Sequence, residues 1–321
     1  MAAKENVSSV ETYLPIKNLQ EGFQYEQIFL IDSVTHNENM ITAKNQPFAE
    51  IVIKDITGSL SGKVWNYEGG IQEGQYAVIK IDLKKYKDQL TFQCQYENIE
   101  IVDKPLNIFD YVDGMSESAL MQYAGEIESA IMSIIDESYR NIMYYAINTL
   151  DLMQALKESP YGLQGSMSYP GGLLVHTAHA LRFAKVANQQ AKETEIPFSS
   201  SLVIAGCILR NIGWYTTTKF HGDKLRSRDA YYMIGIQRAS TRYIDHLMLS
   251  AESDVQMTVP ESKRQALENV CNKQADINTL EGQIIACSDN MADILDFGAT
   301  ALGKKKIGNW AEELFIGHLH E

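Results

Sequence analysis

Two stretches, SYPGGLLVHTA from Ser168 to Ala178 and AGCILRNIGW from Ala205 to Trp214, decide how this chain is read. In the first, a Pro-Gly-Gly turn opens an apolar helix start and delivers His176. In the second, an apolar run delivers Arg210 and Asn211. Turns and apolar runs that bring polar side chains to helix ends are expected of a buried site between helices. Outward from these stretches the period stays helical. Leu120, Tyr123, Ile127, Ile131, Ile134 and Ile135 stand three or four apart, and Ile142, Met143, Ala146, Ile147 and Leu150 continue on a second helix. Further helices are predicted over 199–210, from about 227 to 250, and over 261–274 and 279–297, with a short one over 309–318. This part of the chain is therefore expected to be all helical. Gly171, His176, Asn211, Asp289, Asn290 and Asp293 are its polar residues on apolar faces.

Before Pro105 the period is two. Strands are predicted over Tyr25–Thr35, Phe48–Ile56, Ser59–Trp65, Gln75–Leu83 and Leu90–Val102, separated by turn residues such as Asp55-Ile56-Thr57-Gly58. Five short strands, with a loop rather than a long helix between the third and fourth, predict a small Greek-key barrel of the OB type. Lys84, Lys85, Tyr86 and Lys87 fall at the hairpin between the last two strands, from which such a barrel reaches around a nucleic-acid strand. Trp65 and Tyr67, at the end of the third strand, and Phe92 and Tyr96, on one face of the fifth, are the candidate base-stacking aromatics.

Composition narrows the partners. A chain of 321 residues, 45% apolar and 21% charged, holds two ordinary domains with real cores. Its net charge of -13 repels nucleic acid at long range, so any such binding must come from a local basic patch. Cys94, Cys207, Cys271 and Cys287 form no C-x-x-C pair and read as reduced thiols. The opening residues contain no apolar run and no later segment reaches membrane-spanning length, so a cytoplasmic protein without membrane contact is expected. Neither a Walker A sequence, a G-x-G-x-x-G after a strand, a G-x-S-x-G nor an H-E-x-x-H occurs.

The succession of a barrel and a helical part opening with YPGGLLVHT resembles the YhaM-type bacterial 3′-5′ exoribonucleases, which join an OB-fold to an HD-domain phosphohydrolase. QPFAEIVIKDITGSLSGKVWN resembles that family's barrel pattern, LVIAGCILRNIGW its LL-x-AG-x-LLHDIGK, IDHLMLSAES its LILSHHG segment, and ACSDNMAD its D-N-L-D-A segment. The resemblance implies an OB-fold over 1–104, a helical connector over 105–160 and an HD-like domain over 161–321. It also implies a divalent metal held by His and Asp side chains, which lowers the pKa of water and takes up phosphate charge.

Most of those ligands are missing. His176 and Asp289 match family positions, but the His-Asp pair has become Arg210 and Asn211, the paired histidines fall on Ala251 and Glu252, and another falls on Arg228 or Arg226. His176 is expected to persist as a hydrogen-bonded core histidine, and His179, one turn on, as a helix-face residue. The pocket of His176, Arg210, Asn211, Arg228, Glu252 and Asp289 is expected to be a degenerate HD site without catalytic residues, metal or cofactor. An ion pair of Arg210 or Arg228 with Asp289 or Glu252 is expected to take the metal's place. The leading reading is a non-catalytic protein that binds single-stranded RNA or DNA or serves as an assembly subunit, as a homo-oligomer or in a protein complex. A second keeps an active nuclease on a rearranged site of His176, Asp289, Asp293 and Glu252 with His221 or Asp223. A third is an anion- or nucleotide-sensing subunit.

Overall fold

The computed structural model describes residues 13–194, 196–273 and 278–303. The predicted helix over 309–318, with His318 and His320, lies outside the described residues. The chain divides into two units. One reaches to Asp113 and also takes in Phe220–Lys224, and the other runs from Gly114 to Lys219 and from Leu225 onward. The stretch 105–160, read as a connector, is thus shared between the two.

The first unit is a closed five-strand barrel, consistent with an OB-like barrel. Its strands are β1 (Gln24–Thr35), β2 (Phe48–Asp55), β3 (Gly58–Trp65), β4 (Tyr76–Tyr86) and β5 (Gln89–Gln95), in the order β1-β2-β3-β5-β4 with β4 returning to β1. Closure depends on the length of β1, whose first half pairs with β4 (Gln24↔Asp82 to Leu30↔Tyr76) and whose second half pairs with β2. The register slips between Ile31 and Ser33, where the strand changes partners. Phe29, Ile31, Ile51, Ile53, Val64, Ile79, Ile81, Leu83 and Phe92 fill the interior. The parallel β3–β5 pairing brings Gly62 opposite Phe92, and a Cβ at Gly62 would lie 2.3 Å from the ring.

The predicted fifth strand is interrupted. A 3-10 turn at Tyr96–Asn98 ends β5, and Ile99–Val102 forms a separate strand, β6, on the free stretch of β4. Phe92 is correspondingly corrected from surface platform to core, because β5 alternation turns Phe92 and Cys94 inward. Tyr67 is also buried, edge-on to Tyr96 at 5.5 Å, and the Tyr96 hydroxyl donates to the Gly69 carbonyl. The Asp55 carboxylate bolts the β2–β3 turn. It accepts from the Tyr13 hydroxyl, the Thr57 hydroxyl and the backbone N–H groups of Ile16, Thr57 and Gly58, at 2.6 to 3.0 Å.

The second unit comprises α1 (Glu117–Met132), α2 (Glu137–Thr149), α3 (Leu152–Glu158), α4 (Gly172–Glu193), α5 (Ser200–Leu209), α6 (Gly213–Thr217), α7 (Asp229–Val255), α8 (Glu261–Cys271) and α9 (Leu280–Gly303). It is not all helical. A two-stranded sheet of β7 (Thr218–His221) and β8 (Lys224–Ser227) stands where the sequence suggested loop and helix; its two ends belong to this unit, while its turn, Phe220–Lys224 with Gly222 at φ 61°, belongs to the barrel unit. Four-residue strands carry too few side chains to show a period. The PGG turn has a steric basis: Gly171 sits at φ 93°, and a Cβ on Gly172 would fall 1.9 Å from the Met167 carbonyl oxygen.

Candidate functional site

Helical spacing assembles the buried centre of the second unit. His176 and His179 stand three apart on α4, while Asp289, Asp293 and Asp296 recur four and three apart on α9, which packs against α4. The C-cap of α5 and the residue after it supply Arg210 and Asn211. His176 is fully buried between two carboxylates, with Nδ1 2.8 Å from Asp296 Oδ2 and Nε2 2.9 Å from Asp289 Oδ1. Arg210 Nε donates to Asp289 Oδ2 at 3.1 Å, the anticipated Arg210–Asp289 ion pair, and Nη1 donates to the Val270 carbonyl at 2.8 Å. Asn211 Nδ2 donates to Asp289 Oδ1 at 2.7 Å. His179 Nδ1 bonds to Asp296, and Lys273 Nζ approaches Asp289 at 3.9 Å.

Burial alone would lower the His176 pKa, but hydrogen bonds and charge from Asp289 and Asp296 outweigh it and raise it to about 9. Burial would raise Asp289, yet His176, Arg210 and Lys273 hold it down to about 2. Asp296 is likewise lowered against its burial by both histidines. Asp293, exposed at the edge of the cluster, is raised, chiefly by desolvation. Tyr161 covers the cluster, its ring stacked on His176 with centroids 3.6 Å apart and planes 9° from parallel, its hydroxyl donating to Asp293 Oδ1 at 2.8 Å.

A hydrolytic metal would need the His176 Nε2 lone pair and open carboxylate oxygens. Here both imidazole nitrogens point at carboxylates, and the Asp289 oxygens are taken by His176, Asn211 and Arg210. Among the described residues no group of three or more His, Cys, Asp or Glu side chains is disposed to hold a metal ion. The donor set does not fit the metal that the resemblance implies.

Two residues assigned to this pocket lie elsewhere. Glu252 is exposed on α7, one residue past buried Ala251, so the helix turns it to solvent. Arg228 is exposed at the start of α7, where its Nε donates to the Thr218 carbonyl at 2.9 Å. His221 and Asp223 belong to the barrel unit, engaged with the Glu73 carbonyl and with Lys54. Asn290 is exposed, and His179 is buried rather than on an open helix face. Tyr161 and Asp296 were not singled out from sequence. The four-then-three spacing of the α9 aspartates carried a signal for Asp296, whereas Tyr161 lies in an aperiodic loop.

The barrel offers a second candidate surface. On the outward face Phe48 pairs with Trp65 across β2–β3, their ring centroids 5.6 Å apart. Lys63 Nζ lies 4.8 Å from the Phe48 centroid and 5.8 Å from that of Trp65. The row continues through Gln93, opposite Lys63 on β5, to Lys84, whose Nζ is 3.5 Å from Gln93 Oε1. Beyond it, Lys87 (φ 49°) and Asp88 (φ 65°) form the two-residue turn that ends β4. Tyr86 is 66% exposed under the Lys87 ammonium, and Lys85 faces Glu21 at 3.7 Å. Phe48 and Lys63 were not expected here, since their role depends on cross-strand pairing.

No helix among the described residues is long and apolar enough to cross a membrane. No protein-family model matches the chain, and no curated protein matches it significantly.

Proposed function

We propose that this protein binds single-stranded nucleic acid without cleaving it, through an OB-fold joined to an HD-like domain whose metal has been replaced by an ion-pair network. The observation that carries the reading is the Phe48–Lys63–Trp65 row, which combines aromatic faces and a cation on the β2–β3 surface and runs on toward Lys84 and Tyr86. Aromatic faces stack bases regardless of sequence, and ammonium groups track phosphates. The centre around His176 supports the non-catalytic half, since its donor atoms are committed to one another. Binding of labelled single-stranded RNA and DNA by fluorescence anisotropy tests the reading. Trp65→Ala should weaken affinity about 5-fold or more, given roughly 1 to 3 kcal/mol per stacked base. An unchanged affinity would remove the barrel face from the account. Cleavage in Mn²⁺ or Mg²⁺ that disappears in His176→Ala would overturn the non-catalytic part.

A further inference from the structure

The helical unit carries its own row of rings, running outward from the buried centre. Tyr161, stacked on His176, is edge-on to Trp214 at 6.2 Å; Trp214 lies 6.0 Å from Tyr231, and Tyr231 is edge-on to Tyr232 at 5.2 Å. The row ends in solvent, where Tyr232 is 77% and neighbouring Met233 80% exposed. Aromatic and thioether side chains this open are not core filling. Cations border the open end. The Tyr232 hydroxyl accepts from the Ser227 hydroxyl at 2.9 Å, and the residues before and after Ser227 in the chain, Arg226 and Arg228, are both exposed. Arg228 is held by the Thr218 carbonyl, next to exposed Lys219 in the chain, and exposed Asp229 follows it. A kink at Gly235 (φ 70°, ψ 171°) breaks α7 directly after this segment, so its first turn and a half follows its own direction.

We infer that Tyr232, Met233, Tyr231 and Trp214 with Arg226 and Arg228 form a second single-strand contact site, at which one or two unpaired bases stack while the guanidinium groups bind the flanking phosphates. Open rings with exposed arginines a few residues away form a local basic and aromatic patch on an otherwise acidic chain, which matches the chemistry of a single strand and not that of a basic or purely apolar partner. The inference rests on the nucleic-acid reading above but on different residues, so the two can fail separately.

The test is oligonucleotide binding by the full chain, comparing wild type with Tyr232→Ala, Arg226→Ala/Arg228→Ala and Trp65→Ala. Photo-crosslinking of 4-thiouridine RNA, read by peptide mapping, runs in parallel. Tyr232→Ala should weaken binding about 5-fold or more, and crosslinks should map to the peptide carrying Tyr231 and Tyr232. Because Tyr232, Arg226 and Arg228 are exposed, these changes should move the thermal midpoint by no more than ordinary surface substitutions do, the Arg228→Ala variant giving up one hydrogen bond to the Thr218 carbonyl. Loss on Trp65→Ala with no loss and no crosslink at the helical site overturns this inference and leaves the barrel reading standing. Loss on Tyr232→Ala alone does the reverse. No binding by the wild type overturns both. A change of oligomeric state in Tyr232→Ala, at unchanged RNA affinity, overturns it too and makes the patch an interface between copies of the chain.

Discussion

Arg210 holds together charges that would otherwise be stranded. Asp289 and Asp296 are buried and ionised, which is tolerable only because His176 and Arg210 supply positive charge within hydrogen-bond range. Removing one partner leaves an uncompensated buried charge, so Arg210→Met should cost about 3 to 5 kcal/mol in urea unfolding. A change below about 0.5 kcal/mol, the size of an ordinary surface substitution, would show that the pair does not hold the centre together. The same geometry sets a pH dependence. The His176 pKa is raised from 6.5 to about 9, so its ion pairs contribute fully below pH 6.5 and are lost as pH climbs through about 9. Asp289, lowered from 3.8 to about 2, contributes above pH 3.8 and loses that contribution as pH falls through about 2. Wild type should therefore lose on the order of 3 kcal/mol between pH 6.5 and 9. His176→Gln, measured by urea midpoints across that range, should flatten the slope, and an equally steep slope in the variant would assign the loss to other groups. Since the cluster balances its own charge, dialysis against EDTA should leave the thermal midpoint unchanged. A fall in the midpoint, restored by one metal ion per chain, would contradict the donor assignment.

At the scale of elements, the β2–β3 turn depends on one side chain. Asp55 gathers five donors from the turn and from residues 13–16, and no substitute of similar shape keeps them all satisfied without its charge. Asp55→Ala should destabilise the barrel by about 2 to 4 kcal/mol, more than a single neutral hydrogen bond, because several donors lose a charged acceptor together. A near-UV signal and urea midpoint indistinguishable from wild type would show that water replaces the carboxylate at no cost. The elements also mark where sequence reading stopped. Strands β1 to β5 and the long helices were legible, since their alternation or three-to-four spacing extends over many residues. The break at Tyr96 and the β7–β8 hairpin were not, because the first follows from which strand sits alongside and the second is too short to show a period; the alternation of β5 did carry the inward turn of Phe92, but its period alone does not say which of the two faces is the core.

For the whole molecule, the net charge of -13 and the local cations act at different ranges. Beyond a Debye length of roughly 8 to 10 Å the acidic surface is screened at physiological salt, while Lys63, Lys84, Lys85 and Lys87 would act at contact distance. Single-strand affinity should fall with rising salt at about 0.7 of a log unit per phosphate neutralised for each decade. Lys84→Ala/Lys85→Ala/Lys87→Ala should flatten that slope by about 2, and a slope identical to wild type would make the β4–β5 turn a solvated hairpin. The sequence by itself determined the barrel-then-helices order and the placement of His176, Arg210 and Asp289 at a helix-borne centre, since periodicity and residue type are local properties. Only the tertiary structure decided that Asp296, His179 and Tyr161 complete the centre while Arg228 and Glu252 do not. It also decided that Phe48 and Lys63 join Trp65 on one face. Membership in each cluster depends on helix rotation and strand register, which are set by the packing of segments far apart in the chain.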